Sequence, residues 1–437
     1  MIMSSKKISK DFNKERLKQG QKVNVLNLGC ARNVVDSQTI LTNIKKKGHR
    51  IVDMTDADVA IVNTCAFIEE AKRESLDAIV ELLEMKRAGK LKKVIVAGCL
   101  AERYSKELAK EFKDIDAIIG VQKLDKDGIP SNFSLTPKHY AYVKISESCY
   151  NHCSFCVIPK IKGKFVSRTI ESVVEEIKKL DAQGVKEAIL IGQDITAYGM
   201  DLYHELSLAK LLKAIIPATK NIEWIRLLYA FPAHVTDELI DVMGKEEKIC
   251  KYIDLPLQHI SDHILKTMNR NITTEKTKDL IKKMRASMPH GSLRTTFIVG
   301  LPGETDKDFE ELVEFVEQTR FEKLGTFVYS HEEGTDAYHM PHQVPEEDKK
   351  DRLDNLMQIQ QEISKDAQHE FIGQRLKVLI DEKAKNEEGV YLGRSEFDAP
   401  DVDGLIYVHS KKELQPGTFV NVLINDALEY DLVGEVV

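Results

Sequence analysis

Cys149-Tyr-Asn-His-Cys153-Ser-Phe-Cys156 places three thiols within eight residues, and a loop of that length can wrap all three around one metal centre. Thiolates are soft ligands that select iron–sulfur clusters, zinc or copper(I), and spacing decides among them. Zinc sites usually pair Cys-x2-Cys with a matching second pair, and no second pair follows here. Three ligands leave a four-iron cluster with one open iron, which can bind a cofactor. Cysteine is otherwise sparse, seven residues in 437, so three unrelated structural thiols in one loop is the weaker reading.

The pattern Cys-x3-Cys-x2-Cys, with aromatic Phe155 before the last thiol, resembles the signature of the radical S-adenosylmethionine (SAM) enzymes. The resemblance implies a [4Fe-4S] cluster on Cys149, Cys153 and Cys156 whose open iron chelates SAM. It implies one-electron cleavage of SAM to a 5'-deoxyadenosyl radical, chemistry supplied by cofactors rather than side chains.

Downstream of the cysteine stretch the chain alternates strand-like and helical runs. Strands are expected at 142–146, 188–192, 225–228, 252–255, 295–299 and 326–329, with helical patterns such as 171–183 and 306–319 between them. Six βα units predict an open or partial TIM-type (β/α)6 barrel with its chemistry at the carboxyl ends of the strands. The cysteine loop follows the first strand, on that face. Gly192-Gln193-Asp194 ends the second strand, where radical SAM enzymes carry a small acidic motif for the SAM amine; Arg294, opening the fifth, and Phe155 complete the expected cofactor contacts. His259 reads as a satisfied structural histidine and Cys250 as a core cysteine. The run 300–304 reads equally as SAM site or as turn and helix start. With no hydrolase-like triad, no catalytic side chain is expected beyond the cluster ligands.

Upstream, strands are expected at 22–28, 59–63, 93–97 and 117–119, separated by helices near 34–47, 69–88 and 102–110. Such alternation predicts a parallel sheet covered on both faces. Cys30, Cys65 and Cys99 each stand just after a strand, so all three should converge at the edge where open α/β sheets bind ligands. We read them as the ligands of a second cluster, with Gly29 and Gly98 allowing close approach of the backbone.

Beyond the barrel, residues 346–370 form a charged amphipathic helix, and short strands at 376–380, 389–393, 404–409, 419–424 and 432–437 predict a small β-barrel of the oligonucleotide-binding kind. Between 373 and 437 seven basic residues face thirteen acidic ones, a net of −6, the wrong sign for phosphate and the right one for a basic protein. The expected divisions are a polar arm at 1–21, an α/β sheet domain at 22–131, a barrel with connecting helix at 132–370, and the small barrel at 371–437.

With 42% hydrophobic and 30% charged residues the chain reads as soluble, and no run of about 18 apolar residues suggests a membrane span. The arm lacks the apolar core of a secretory signal. The odd cysteine count fits a reducing cytoplasm, and a net charge of −7 argues against a DNA-coating protein.

Taken together, the three spaced cysteines, the cysteine-loop barrel and the five-stranded C-terminal barrel resemble the methylthiotransferases over nearly the whole chain. The parts of that family are a methylthiotransferase domain, a radical SAM domain and a TRAM domain. Leu28-Gly-Cys-Ala-Arg-Asn-Val-Val-Asp-Ser37, Tyr329-Ser-His-Glu-Glu-Gly-Thr335 and Asp398-Ala-Pro-Asp-Val-Asp-Gly404 are closer to the members that modify ribosomal protein S-twelve than to the tRNA (adenosine) members, although Ala31 and His331 stand where proline is usual. The resemblance implies an auxiliary [4Fe-4S] cluster on Cys30, Cys65 and Cys99 that carries sulfur, a methyl donated by one SAM, and a radical from a second SAM that opens the β-carbon of an aspartate. It implies S-twelve or the ribosome as partner and an electron donor such as flavodoxin. The alternatives are a tRNA methylthiotransferase and a non-catalytic iron–sulfur carrier.

Overall fold

The structure, a computed structural model, describes residues 20–124, 127, 133–385 and 387–437. The arm expected at the N-terminus lies, up to residue 19, outside the described residues. The chain divides into two compact units, residues 1–135 with 147–150 and 157–168, and residues 136–146 with 151–156 and 169–437.

In the first unit, β1 (Lys22–Asn27), β2 (Arg50–Ile51), β3 (Val59–Thr64), β4 (Lys93–Gly98) and β5 (Ala117–Ile119) form one sheet in the order β2-β1-β3-β4-β5. All four pairings are parallel. Because side chains alternate along a strand, β3 sends Ala60 and Val62 to a core with Ile79, Leu82 and Leu83 of the helix Glu69–Arg87, and Val59 and Ile61 to a core with Ile40 and Ile44 of the helix Ala31–Lys46. The unit also draws in the short helix Ile158–Lys162, whose Ile161 joins the first of these cores with Val157.

In the second unit, β6 (Tyr140–Lys144), β7 (Glu187–Ile191) and β8 (Trp224–Leu227) pair in parallel, as do β9 (Tyr252–Asp254), β10 (Ser292–Val299) and β11 (Lys323–Val328). Backbone bonds from Ile225 N to Lys248 O and from Cys250 N to Ile225 O link the two halves into one six-strand partial barrel. Period-two alternation sorts its strands: Val143, Leu190, Ile225, Ile253, Leu293 and Phe297 join the apolar layer under the helices, while Glu187, Arg226, Asp254 and Arg294 alternate with them. The helix Glu346–His369 adds Leu356 and Ile363 to that layer.

The last strands, β12 (Arg375–Lys383), β13 (Val390–Arg394), β14 (Ile406–His409), β15 (Phe419–Ala427) and β16 (Leu432–Val436), close into a barrel in the order β12-β13-β14-β16-β15 around Val378, Ile380, Ile406, Val408, Val422 and Ile424. Its 395–403 loop fills the amino-terminal end of the larger barrel. Arg226 donates to Glu187 (2.6 Å) and to the carbonyls of Glu396 (2.7 Å) and Ser395 (3.3 Å), and Lys323 donates to Asp398 (2.7 Å). Buried charges here each face at least one of the opposite sign, the condition under which a polar interior is tolerated.

Two expectations fail on this network. Arg294, in register with Lys323 at the start of β11, donates to Asp254 (2.7 Å) and faces Asp403 (3.5 Å). Two carboxylates already match its charge at the end of the barrel away from the cysteine loop, so it is not a SAM contact. The acidic C-terminal run is likewise only partly a free surface, Asp401 being its exposed acid. Asp398 is 6% exposed, Asp403 faces Arg294, and Asp401 accepts from the Tyr142 hydroxyl (3.3 Å). The exposed charged residues of this barrel then keep only a small acidic excess, with Glu382, Glu387, Glu388, Asp401, Glu413, Asp426, Glu429 and Glu435 against Arg375, Lys377, Lys383, Lys385, Lys411 and Lys412.

Candidate active site

In the first unit Cys30, Cys65 and Cys99 sit at the carboxyl ends of β1, β3 and β4. Cys30 caps the N-terminus of the helix Ala31–Lys46, and Cys99 opens the helix Cys99–Arg103. The backbone packs here without room for a Cβ. One added at Gly29 (φ +85°) would stand 2.8 Å from Cys65 Cβ and 3.2 Å from its Sγ, and one at Gly98 (φ +93°) would stand 2.6 Å from the Thr64 carbonyl. Glycine is therefore required at both positions, and the same closeness brings Cys65 beside the Cys30 turn and Cys99 beside the end of β3.

Asparagines hold these turns. Asn33 donates to the carbonyls of Leu28 (2.8 Å) and Thr64 (3.2 Å), and Asn63 donates to Asn33 O (3.0 Å) and Ser37 Oγ (2.9 Å). Basic groups surround the thiols: Arg32 Nε donates to Cys30 Sγ at 3.4 Å, Arg103 donates to the Ala66 carbonyl next to Cys65 at 3.0 Å, and Lys162 is buried between Asp36 (3.0 Å) and Glu147 (3.3 Å). Burial pushes Cys65 up, and Cys99 up to about 12 against the pull of Lys162. Burial works the same way on Cys30, but the Arg32 guanidinium together with the backbone N–H groups of Asn33 and Arg32 outweighs it, and the thiol ends below its ordinary value. Three thiols, backbone pared to glycine and nearby cations suit an anionic thiolate cluster.

The cysteine loop is fixed by contacts that its spacing does not reveal. In the first unit the Ser148 hydroxyl donates to Gly163 O (2.6 Å), and Tyr150 packs edge-on to Phe165, so Cys149 is held from both sides. In the second unit Ser154 donates through its backbone to Met268 O (2.9 Å) and through its hydroxyl to Thr267 O (2.8 Å), while Asn269 donates to His152 O (2.7 Å). Arg270 donates to Cys153 Sγ at 3.8 Å. The turn 267–270 carries no functional signal in the sequence. An Asn just past a helix end is a left-handed cap signal, and Asn269 has φ +56°, but nothing local to it names the loop it grips.

The expected SAM contacts divide. A Cβ on Gly192 would meet Ser146 Oγ at 2.5 Å, so this glycine lets the ends of β6 and β7 approach. Gln193 is half-buried at the strand end. Asp194, 1% exposed, accepts at Oδ1 from Thr196 N (2.9 Å), Thr196 Oγ1 (2.6 Å) and Ala197 N (3.1 Å). Its Oδ2 accepts from Asn151 Nδ2 (2.8 Å) and pairs with His234 Nδ1 (2.7 Å). With both oxygens engaged, this carboxylate braces the cysteine loop and is not an open acceptor for an amine, contrary to expectation. Phe155 packs in a small core with Met268, Leu301 and Tyr329 and anchors the loop there. His259 is fully buried and its Nδ1 accepts from Ser261 N (3.0 Å), but its Nε2 has no hydrogen-bond partner among the described residues and lies 3.8 Å from Glu304 Oε2, so it is a buried histidine only half satisfied. Cys250 is 1% exposed.

Comparison with known proteins bears on this arrangement. The radical SAM superfamily matches residues 143–316, the uncharacterized protein family UPF0004 residues 22–120, and the TRAM domain residues 372–437. The ribosomal protein uS12 methylthiotransferase RimO of Caldanaerobacter subterraneus subsp. tengcongensis is 48% identical, over 94% of this chain and 99% of the relative. This chain belongs to the RimO family of radical SAM methylthiotransferases. Further RimO relatives come from Thermoanaerobacter sp. (strain X514), 46% identical over 94% of this chain and 99% of the relative, and Clostridioides difficile, 44% over 95% and 98%. The radical SAM methyltransferase TsrM from Kitasatospora setae shares the fold, with a TM-score of 0.50 and 15% identity over 71% of this chain and 75% of TsrM. As a member of the RimO family the chain is a transferase that works with SAM and [4Fe-4S] clusters. Among the described residues no helix is long and apolar enough to cross a membrane.

Proposed function

We propose that this protein adds a methylthio group to the β-carbon of an aspartate in ribosomal protein uS12. The observation that carries the reading is that Cys30, Cys65 and Cys99 each follow one of three neighbouring parallel strands, in a chain whose other unit holds Cys153 and Cys156 in a braced loop and whose near full-length relatives are named uS12 methylthiotransferases. Cys149, Cys153 and Cys156 would hold the cluster that cleaves SAM, and Cys30, Cys65 and Cys99 the one that presents sulfur. When bound, these groups supply a carbon radical able to open an unactivated C–H bond and a thiophilic site that delivers sulfur.

The side chains position and protect. Arg32, Arg103 and Lys162 offset thiolate charge; Asp194, Asn151, Asn269 and Ser154 keep the barrel loop in one conformation, as a radical reaction requires of its source. Gly192 and half-buried Gln193 stand at the strand end where SAM would be received, and we assign the SAM amine to that backbone and the Gln193 side chain. A cytoplasmic setting and a small redox protein such as flavodoxin as electron donor complete the proposal. The test is anaerobic reconstitution with SAM and reductant, offering uS12 in one reaction and tRNA in another and reading both by mass. A mass gain of one methylthio group on uS12 alone is expected; methylthiolated tRNA with unmodified uS12 overturns the proposal.

A further inference from the structure

We infer that Arg270 is a positioning residue for the barrel cluster, its guanidinium setting how readily that cluster accepts an electron through the bond to Cys153. The inference rests on the reading that Cys149, Cys153 and Cys156 are the cluster ligands. Arg270 is 6% exposed, donates through Nη1 to Cys153 Sγ at 3.8 Å and through Nη2 to the Pro256 carbonyl at 2.6 Å, and stacks 4.3 Å from the centre of the Phe231 ring. A carbonyl, a thiol and an aromatic face thus hold one planar group. The Phe231 ring in turn lies 5.1 Å from that of His234, the partner of Asp194, which accepts from Asn151 in the same cysteine loop.

Reduction adds negative charge to a cluster, much of it carried by its sulfur atoms. An N–H donor and a fixed positive charge at a ligand thiolate stabilise that charge, and hydrogen bonds to the sulfurs are among the established controls of cluster potential. The effect is large here because the group is out of water, where charges interact more strongly. Arginine fits and lysine does not fully replace it: two acceptors in different directions and a flat ring need a planar fork, whereas an ammonium offers a point charge. The neighbouring turn aims the side chain, since Asn269 in the left-handed region is bonded to His152 O, one residue before Cys153.

The test uses the full-length, anaerobically reconstituted enzyme and its Arg270→Met, Arg270→Gln and Arg270→Lys variants. Iron content is measured first, and the reduced-cluster EPR signal that changes on SAM addition is then titrated against potential. In Arg270→Met the equilibrium constant for reduction should fall about tenfold, equal to about 59 mV for a one-electron couple. Arg270→Lys, keeping charge without the fork, should recover part of the shift. A wild-type midpoint in every variant that loads iron overturns the inference and leaves Arg270 a structural pin. The inference is equally overturned if only Arg270→Lys loads iron and titrates like the wild type. Failure of the underlying reading is distinguishable: Cys153→Ala would then keep the SAM-responsive signal.

Discussion

Arg394 and Glu187, 207 residues apart, meet at 2.8 Å with their side chains 1% and 0% exposed. Arg394 also donates to both oxygens of Asp381 (2.7 and 3.0 Å), and Glu187 also accepts from Arg226. The pair fastens the small C-terminal barrel to the strands of the larger one. Removing Arg394 leaves Glu187 to Arg226 alone and Asp381 to His139 alone in a buried site, so Arg394→Ala should cost about 3 kcal/mol in denaturant unfolding. Replacing both, Arg394→Met with Glu187→Leu, should cost less than the sum of the single changes.

Charge reversal should separate the inward from the outward acids. Asp398→Lys places a second cation against Lys323 and should lower the unfolding midpoint sharply. Reversing exposed Glu387, Glu388 and Glu413 together should change stability by about 0.5 kcal/mol or less per site. Loss of uS12 modification in the second variant, with folding intact, would show that the outer face recruits substrate.

The three backbone amides of Lys220, Asn221 and Ile222 donate to one oxygen of Asp181 at 2.8, 2.7 and 2.8 Å. Burial raises this carboxyl, but the three N–H donors outweigh it and hold its pKa below the ordinary 3.8. A depressed carboxylate contributes stability above its unfolded value, and that contribution fades as pH falls through the folded one. At pH 7 Asp181→Asn should therefore be less stable by about 1.5–3 kcal/mol. The gap to wild type, followed by urea unfolding, should close as the pH drops below 3.8.

Gly29→Ala meets Cys65 Cβ at 2.8 Å from a backbone that L-residues rarely adopt. Its iron content should fall by the share bound at Cys30, Cys65 and Cys99, while reductive SAM cleavage persists. Wild-type iron in this variant would remove the close approach as a requirement.

The two cysteine sets should fail differently. Cys153→Ala should abolish SAM cleavage; Cys65→Ala should keep some cleavage and form no methylthio product. Equal loss of cleavage in both, with folding shown by circular dichroism, would refute the division of roles.

Strands with apolar residues on both faces, such as Val59–Thr64 and Lys93–Gly98, were legible because such a run must be a covered strand, and the cysteines were legible because they follow those strands. Direction was not. Arg294 read as a cofactor contact and the net charge of 373–437 as a sign suited to a basic partner, because a sequence states the sign of a side chain and not what it faces. Partners as distant as Glu187 and Arg394 leave no local trace. Asp194 was found at the right strand end, yet its five bonds come from Asn151, Thr196, Ala197 and His234, and only assembly shows it already occupied.

The helix Ile158–Lys162 lends Ile161 and Lys162 to the N-terminal sheet although it follows Cys156 in the chain. Residues 22–131 are consequently not a portable cassette. Cut free, or grafted before an unrelated barrel, they would expose the surface that Val157 and Ile161 cover and leave Asp36 without its buried counter-ion, so gene fusions that shuffle this sheet must inherit the segment 157–168 with it.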